Sequence, residues 1–155
     1  MIVVSDTSPL TALLMIGAAE ILPQLFGEVV IPAAVKEELL RNHSTLPDWL
    51  RVAAVKNPLE ARRLARVVDW GEAQAIELAK ELHADRLLID ERKGRRLATA
   101  EGVPIIGLLG VVLLAKKKQL IPTARGLLEK LAEDADAGMY LDADTREAAL
   151  RSVGE

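Results

Sequence analysis

Two aspartates stand directly after short apolar runs of the kind that form buried β-strands. Asp6 follows Ile2–Ser5, and Asp90 follows Leu87–Ile89. In an open parallel sheet the carboxyl ends of the strands flank the crevice in which ligands bind, and two carboxylates brought close there repel each other unless a proton or a cation lies between them. The pair therefore predicts an anionic site. Taken singly, Asp6 is equally explained as a turn residue and Asp90 as the cap of a following short helix.

Two glutamates on predicted helices extend this pair. Advancing about 100° per residue from Val35 places Glu38 beside the apolar helix face, whereas Glu37 points to water. Glu72 stands in the first turn of a helix that Asp69 opens, where the chain direction carries its side chain toward the sheet. The alternatives are that Glu38 is a surface acid and that Glu72 pairs with Asp69 in a capping box. The combination of four acids, two of them at strand ends, favours a functional site.

The elements that position these acids are predicted from an alternation of short apolar runs with segments of helical period. This pattern is typical of an α/β domain with a mainly parallel sheet. The five candidate strands are Ile2–Ser5, Val29–Ile31, Val52–Val55, Leu87–Ile89 and Pro104–Ile106.

Helices are predicted to follow most of these strands. Ser8 is the expected N-cap of the first helix, with Pro9 in its first turn, where a missing amide hydrogen costs nothing. The other expected helices are one through Val35–Leu39, Trp70–Leu82, Leu108–Lys116, a stretch through Leu127–Ala132 followed by acidic residues as far as Asp136, and a short one near Arg146–Leu150. We expect a single domain over residues 1–155, with a core of about 1–119 and a helical C-terminal appendage over 120–155.

Composition narrows the function classes. The 155 residues carry Lys+Arg 20 against Asp+Glu 23 and Cys 0, which excludes disulfides, thiolate metal sites and cysteine nucleophiles. The longest apolar tract, residues 103–115, contains a proline and two glycines and is shorter than the ~20 residues that cross a bilayer. With no signal-like start, a cytoplasmic protein without a membrane partner is expected.

Four segments carry a resemblance to a known family. They are Val4–Leu10, Ile31–Leu39, Gly71–Ala79 and Leu88–Ala98. In this order they resemble the acidic motifs of PIN-domain nucleases, especially VapC-like toxins and an uncharacterised PIN-like branch close to them. The resemblance runs over about residues 1–119. It implies a three-layer α/β/α fold with a central five-stranded sheet, and metal-binding acids at Asp6, Glu38, Glu72 and Asp90. Glu72 stands where many VapC-like proteins carry aspartate, so its side chain is one methylene longer.

The chemistry of this set is that of a hard cation. Acids without a Cys or His partner suit Mg²⁺ or Mn²⁺ and disfavour Zn²⁺. The reaction hypothesised is metal-assisted hydrolysis of an RNA phosphodiester. Asp6 and Asp90 would be the principal ligands, Glu38 would hold the metal or its water, and Glu72 would support a second ion or a water. The hydroxyls of Thr7 and Ser8 are candidates for orienting Asp6.

A basic run follows Asp90. Arg92, Lys93, Arg95 and Arg96 are candidate nucleic-acid contacts, although runs of charge are more often solvated helix faces. For two other basic groups, in residues 62–66 and 116–118, the solvated reading is preferred. Only four aromatic residues occur, so a stacking platform of several rings is not expected.

The resemblance also implies partners: an RNA substrate, a small cognate antitoxin protein and a second copy of the chain in a homodimer. The alternative is a catalytically silent PIN-like module that binds RNA or protein and keeps the acids as structure. A phosphatase built around Asp6 is disfavoured because Ser8 stands where a second aspartate is expected. No Walker-type phosphate loop occurs.

Overall fold

The computed structural model of the chain describes residues 1–134 and 139–155, and its centre is a five-stranded parallel sheet. The strands are β1 (Ile2–Ser5), β2 (Glu28–Ile31), β3 (Leu50–Val52), β4 (Arg86–Leu88) and β5 (Ile105–Ile106). The helices are α1 (Thr7–Met15), α2 (Ile21–Phe26), α3 (Ala33–Asn42), α4 (Pro58–Leu64), α5 (Trp70–Glu81), α6 (Arg92–Ala100), α7 (Leu108–Lys117), α8 (Ala124–Glu133) and α9 (Ala143–Ser152). The predicted acidic stretch through Asp136 ends outside the described residues.

The strand order creates a crevice at one edge of the sheet. The order is β3-β2-β1-β4-β5, and every neighbouring pair is parallel. The chain therefore steps from β1 outward through β2 and β3, then returns to the other side of β1 for β4 and β5. Ligands bind outside the carboxyl ends of the strands at such a reversal, which here lies between β1 and β4.

Alternating side chains along the strands build a core on each face of the sheet. Val3 and Val29 are fully buried on one face, in a cluster with residues of α1, α2, α7 and α8. Val4 and Val30 are fully buried on the opposite face, in a cluster with residues of α4, α5 and α6. Burying both faces explains why these strands read as continuous apolar runs. The predicted three-layer α/β/α fold with a central parallel sheet is confirmed.

Two local predictions are wrong. The third strand is Leu50–Val52 rather than Val52–Val55, because β2 sets its register by pairing Val29 with Leu50. The first helix begins at Thr7, so Ser8 lies inside the first turn and Asp6 occupies the N-cap position with extended backbone, φ −78° and ψ 172°. That geometry brings Asp6 from the strand end straight into the helix start. In residues 1–134 and 139–155, no helix is long and apolar enough to span a bilayer.

Candidate functional site

Asp6 lies at the end of the central strand, inside the crevice. Its backbone N–H donates to the Leu88 carbonyl at 2.9 Å, which extends the β1–β4 ladder by one bond. The buried Ser5 hydroxyl donates to the Asp6 carbonyl, also at 2.9 Å. The Asp6 residue is only 5% exposed. The main chain therefore holds this carboxyl in place at the reversal point of the sheet.

Asp90 lies two residues beyond β4 and reaches toward the next helix. The Ile89 N–H donates to the Ile106 carbonyl at 3.0 Å, so the chain is still paired one residue before Asp90. The Asp90 Oδ1 then accepts from the Leu108 N–H at 2.8 Å, the first amide of α7. Asp90 does not cap the helix that follows it, because Glu91 is the N-cap of α6 and accepts from the Lys93 N–H at 3.4 Å.

Glu38 faces the crevice from α3, as its helical position predicts. It is half-buried, whereas Glu37 is exposed. The Glu38 carboxylate packs against the backbone of Gly71, in the space that a Cβ there would fill. A hydrogen bond of 3.0 Å from the Ala34 N–H to the Gln74 Oε1 joins the start of α3 to α5. Gln74 therefore fixes the offset between the two helices that carry Glu38 and Glu72.

Glu72 is buried beneath the start of α6. Its Oε2 packs against Gly94, where a Cβ would collide with it, and this oxygen has no hydrogen-bond partner within residues 1–134 and 139–155. The Glu72 N–H donates to the Asp69 Oδ1 at 2.8 Å, so Asp69 is the N-cap of α5, as predicted. The Asp69 side chain also raises the pKa of the Glu72 carboxyl, through hydrogen bonding and through its charge.

Burial, and then the charges of neighbouring acids, raise the pKa of two carboxyls in the crevice. Burial raises the pKa of Asp6 to about 7, and the charges of Asp69, Glu38 and Asp90 add to the rise against the opposing Thr7 backbone hydrogen bond. Burial also raises the pKa of Glu72 to about 9, followed by its hydrogen bond with Asp69 and the charges of Asp69 and Asp6. The repulsion between these carboxylates is the part of the shift that a cation lying between them would also relieve.

Comparison with known proteins agrees with this geometry. A family model described as PIN domain (DUF3368) matches residues 2–155. The chain belongs to the PIN-domain family. PIN domains are generally nucleases and typically use divalent metals. No curated protein matches the chain.

All the predicted acids of this PIN domain border one crevice. Asp6 lies at its centre, with the charges of Glu38 and Asp90 acting directly on it, and Glu72 is linked to it through Asp69. Asp69 was expected only as a helix cap. Its charge is the largest carboxylate contribution to the raised pKa of Asp6, so it belongs with the cluster. The signal available in the sequence was an acid at the N-cap of the helix that carries Glu72, three residues before Glu72.

The donor set fits a hard cation in chemistry, since it contains only carboxylate oxygens and includes the unpartnered, buried Glu72 Oε2. Within residues 1–134 and 139–155, no group of three His, Cys, Asp or Glu side chains is already arranged to hold an ion. The reason is visible in the contacts: Asp90 is bonded to the Leu108 amide and Asp69 to the Glu72 amide. An ion held by three of these acids would therefore require side-chain rotation within the crevice.

The remaining predicted residues divide into two groups. Thr7 touches Asp6 through its backbone amide, while its buried hydroxyl has no hydrogen-bond partner in the described chain, and Ser8 is exposed. In the basic run, only Arg95 is half-buried, and it donates from Nη1 to the Ile89 carbonyl at 2.9 Å. Arg92, Lys93 and Arg96 are exposed on α6.

Proposed function

We propose that this PIN domain is a divalent-metal-dependent endoribonuclease that hydrolyses RNA phosphodiester bonds. The observation that carries the proposal is the convergence of carboxylates on Asp6 at the reversal point of a parallel sheet, where the pKa of Asp6 is about 7. Such a cluster costs stability, and natural proteins keep strained polar arrangements chiefly at functional sites. The family to which the chain belongs supplies the reaction class.

Each acid has a distinct role in this proposal. Asp6 and Asp90 would hold Mg²⁺ or Mn²⁺ between the ends of β1 and β4. Glu38 would bind the ion or its water from α3, and Glu72 with Asp69 would support a second ion or a water from α5. When bound, the cation would polarise the scissile phosphate and lower the pKa of the attacking water. The Asp90 carboxylate would exchange its Leu108 amide hydrogen bond for this role.

The basic start of α6 would hold the substrate backbone. Arg95 lies beside Asp90, since a Cβ on Gly107 would lie 2.7 Å from the Arg95 Nη1 and 3.1 Å from the Asp90 Oδ1. A guanidinium there can bind a phosphate bidentately next to the acids. Arg92, Lys93 and Arg96 would add sequence-independent contacts along the strand.

We also propose that the chain is the toxin half of a toxin–antitoxin pair acting in the cytoplasm. The support is the ordered resemblance of the four acidic segments to VapC-like toxins. A small antitoxin protein would then insert a segment into the acidic crevice, and the toxin would form a homodimer. Co-expression with neighbouring genes and light scattering of the purified chain test these two partners.

The nuclease proposal is tested by cleavage of a mixed, end-labelled pool of structured and unstructured RNA in Mg²⁺, Mn²⁺ or EDTA. Asp6→Asn and Asp90→Asn proteins, purified in the same way, control for contaminating nucleases. We expect metal-dependent cutting by the wild type and loss of at least about a hundredfold in both variants. Equal cutting by all three proteins would assign the activity to a contaminant.

A second function is favoured by one observation. In the described part of the chain the acids are not arranged to hold an ion, and Asp90 is already satisfied by a backbone amide. A catalytically silent PIN domain that binds RNA or protein would look the same. This alternative predicts that the protein does not cut RNA and that millimolar Mn²⁺ does not stabilise it. A melting experiment measures the stabilisation independently of any substrate.

A further inference from the structure

A cavity adjoins the acidic crevice, and most of its lining residues have no role in the chemistry proposed above. It has a volume of about 710 Å³ and shares Asp90 and Arg95 with the crevice. This volume lies within the roughly 300–1,000 Å³ of small-molecule sites. The crevice and the cavity therefore adjoin at Asp90. The crevice is lined by carboxylates, and the cavity is lined mainly by other kinds of side chain.

The walls of this cavity combine apolar, aromatic and cationic groups. Ile106 and Leu109 supply half-buried apolar surface, and Gly107 leaves room for the Arg95 guanidinium. Tyr140 forms part of the rim and is 87% exposed, the highest exposure among the large hydrophobic side chains that the structure describes. A largely exposed aromatic ring in the same cavity as a guanidinium suits a flat, polar, aromatic ligand on an anionic chain.

We propose that this cavity binds one unpaired nucleobase of a single-stranded RNA, with the base stacked on Tyr140 and an adjacent phosphate on Arg95. The inference rests on the proposed function, because it places the base next to the phosphate that Arg95 would bind beside Asp90. The charge pattern selects this occupant: Arg95 complements a phosphate, whereas a purely apolar peptide would leave the guanidinium unused. A base splayed from a single strand is the usual form in which proteins recognise RNA.

The test separates base contacts from phosphate contacts. We would measure the Kd of a fluorescein-labelled, mixed-sequence 15-nucleotide single-stranded RNA and of a 15-unit abasic ribose-phosphate chain of equal charge. Both are measured in Ca²⁺, with a gel to verify intact RNA. The ratio of the two Kd values reports the bases alone. We expect the wild type to favour RNA by about fivefold or more, since base–aromatic stacking has that magnitude.

Three variants locate the effect. Tyr140→Ala should bring the ratio close to one, while Tyr140→Phe should keep it because the ring remains. Leu59→Ala is the matched control, because it removes a side chain on α4 that is 71% exposed. This variant should keep the wild-type ratio of Kd values. Because Tyr140 is exposed, these changes should leave the melting temperature unchanged. If a variant fails to fold, the ratio of Kd values for the wild type still tests whether the protein contacts the bases.

The outcomes distinguish this proposal from the nuclease proposal. A ratio that is unaffected by Tyr140→Ala, with metal-dependent cutting intact, would overturn the base site alone. A ring-dependent ratio in a protein that does not cut would support the base site and overturn the nuclease. Failure of the wild type to bind either chain would overturn the base site and point instead to a protein partner for this cavity, whereas the cutting experiment alone decides the nuclease.

Discussion

The Glu38 carboxylate occupies the volume into which a side chain at Gly71 would project. Gly71 is the second residue of α5, and Glu38 comes from α3, so a missing Cβ on one helix sets the position of an acid on the other. Gly94 does the same for Glu72, whose Oε2 takes the place of a Cβ at the start of α6. The crevice is therefore shaped by two glycines that carry no chemistry.

Gly71→Ala should separate stability from activity. Alanine favours helix over glycine by up to about 1 kcal/mol, and the Glu38 carboxylate is the flexible end of its side chain, so the fold should melt at the same temperature or higher. Metal-dependent RNA cutting should fall by about tenfold or more because Glu38 is displaced. Gly126→Ala in α8, where the nearest atom to a new Cβ is the Thr123 Oγ1, is the control. Unchanged cutting by Gly71→Ala would show that Glu38 needs no fixed position.

Asp69 should contribute charge to the site in addition to capping α5. Asn caps as well as Asp does, so Asp69→Asn should keep the melting temperature, whereas Asp69→Ala should lose about 1 kcal/mol. Both should weaken the stabilisation by Mn²⁺. Asp142→Asn is the matched control, because Asp142 caps α9 by accepting from the Thr145 N–H at 2.8 Å. A full Mn²⁺ response in Asp69→Asn would restrict this residue to capping.

Asp6→Asn should stabilise the metal-free protein at pH 8. The pKa of Asp6 is raised to about 7, so the folded state holds a proton that the unfolded state releases, and stability is lost as the pH rises through 7. The amide removes this loss, and the melting temperature should rise by several degrees at pH 8 but little at pH 4. Millimolar Mn²⁺ should stabilise the wild type more than Asp6→Asn, with Glu37→Gln behaving as wild type. An equal Mn²⁺ response in all three would contradict a shared metal site.

Glu77 provides a pH test away from the site. It is buried in α5, where burial and then a hydrogen bond with Glu81 raise its pKa to about 7, against the Lys80 Nζ at 3.5 Å. Lys80 also binds Glu101 at 2.8 Å and Glu60 at 3.5 Å, so it is not a dedicated partner.

Because the folded Glu77 keeps its proton longer than the unfolded one, its contribution is favourable below about pH 4.5 and is lost as the pH rises through 7. Glu77→Gln should therefore add about 2–3 kcal/mol to the free energy of unfolding at pH 8 and little at pH 4.5, measured with urea. The same gain at both pH values would rule out a buried, protonated Glu77.

The strand-end acids were predictable because Asp6 directly follows β1 and Asp90 lies only two residues beyond β4. The border position of Glu38 was predictable for a similar reason, since a helix repeat is local. The place of Asp69 in the acidic cluster was not predictable. Its role as a helix cap already explained its presence, and its approach to Asp6 depends on how α5 packs over β1. Arg95 was likewise indistinguishable from its basic neighbours until the fold turned its guanidinium back onto the Ile89 carbonyl.

The hydrogen bonds that position Asp6 and Asp90 in the crevice have a consequence for folding during protein synthesis. The Asp6 amide bonds to the Leu88 carbonyl, and the Asp90 carboxylate accepts from the Leu108 amide, so the site joins the first strand to residues that the ribosome adds much later. Chains grow from the N-terminus, and a strand cannot pair with a partner that has not emerged. A growing chain therefore carries no assembled crevice until the start of α7 has left the ribosome.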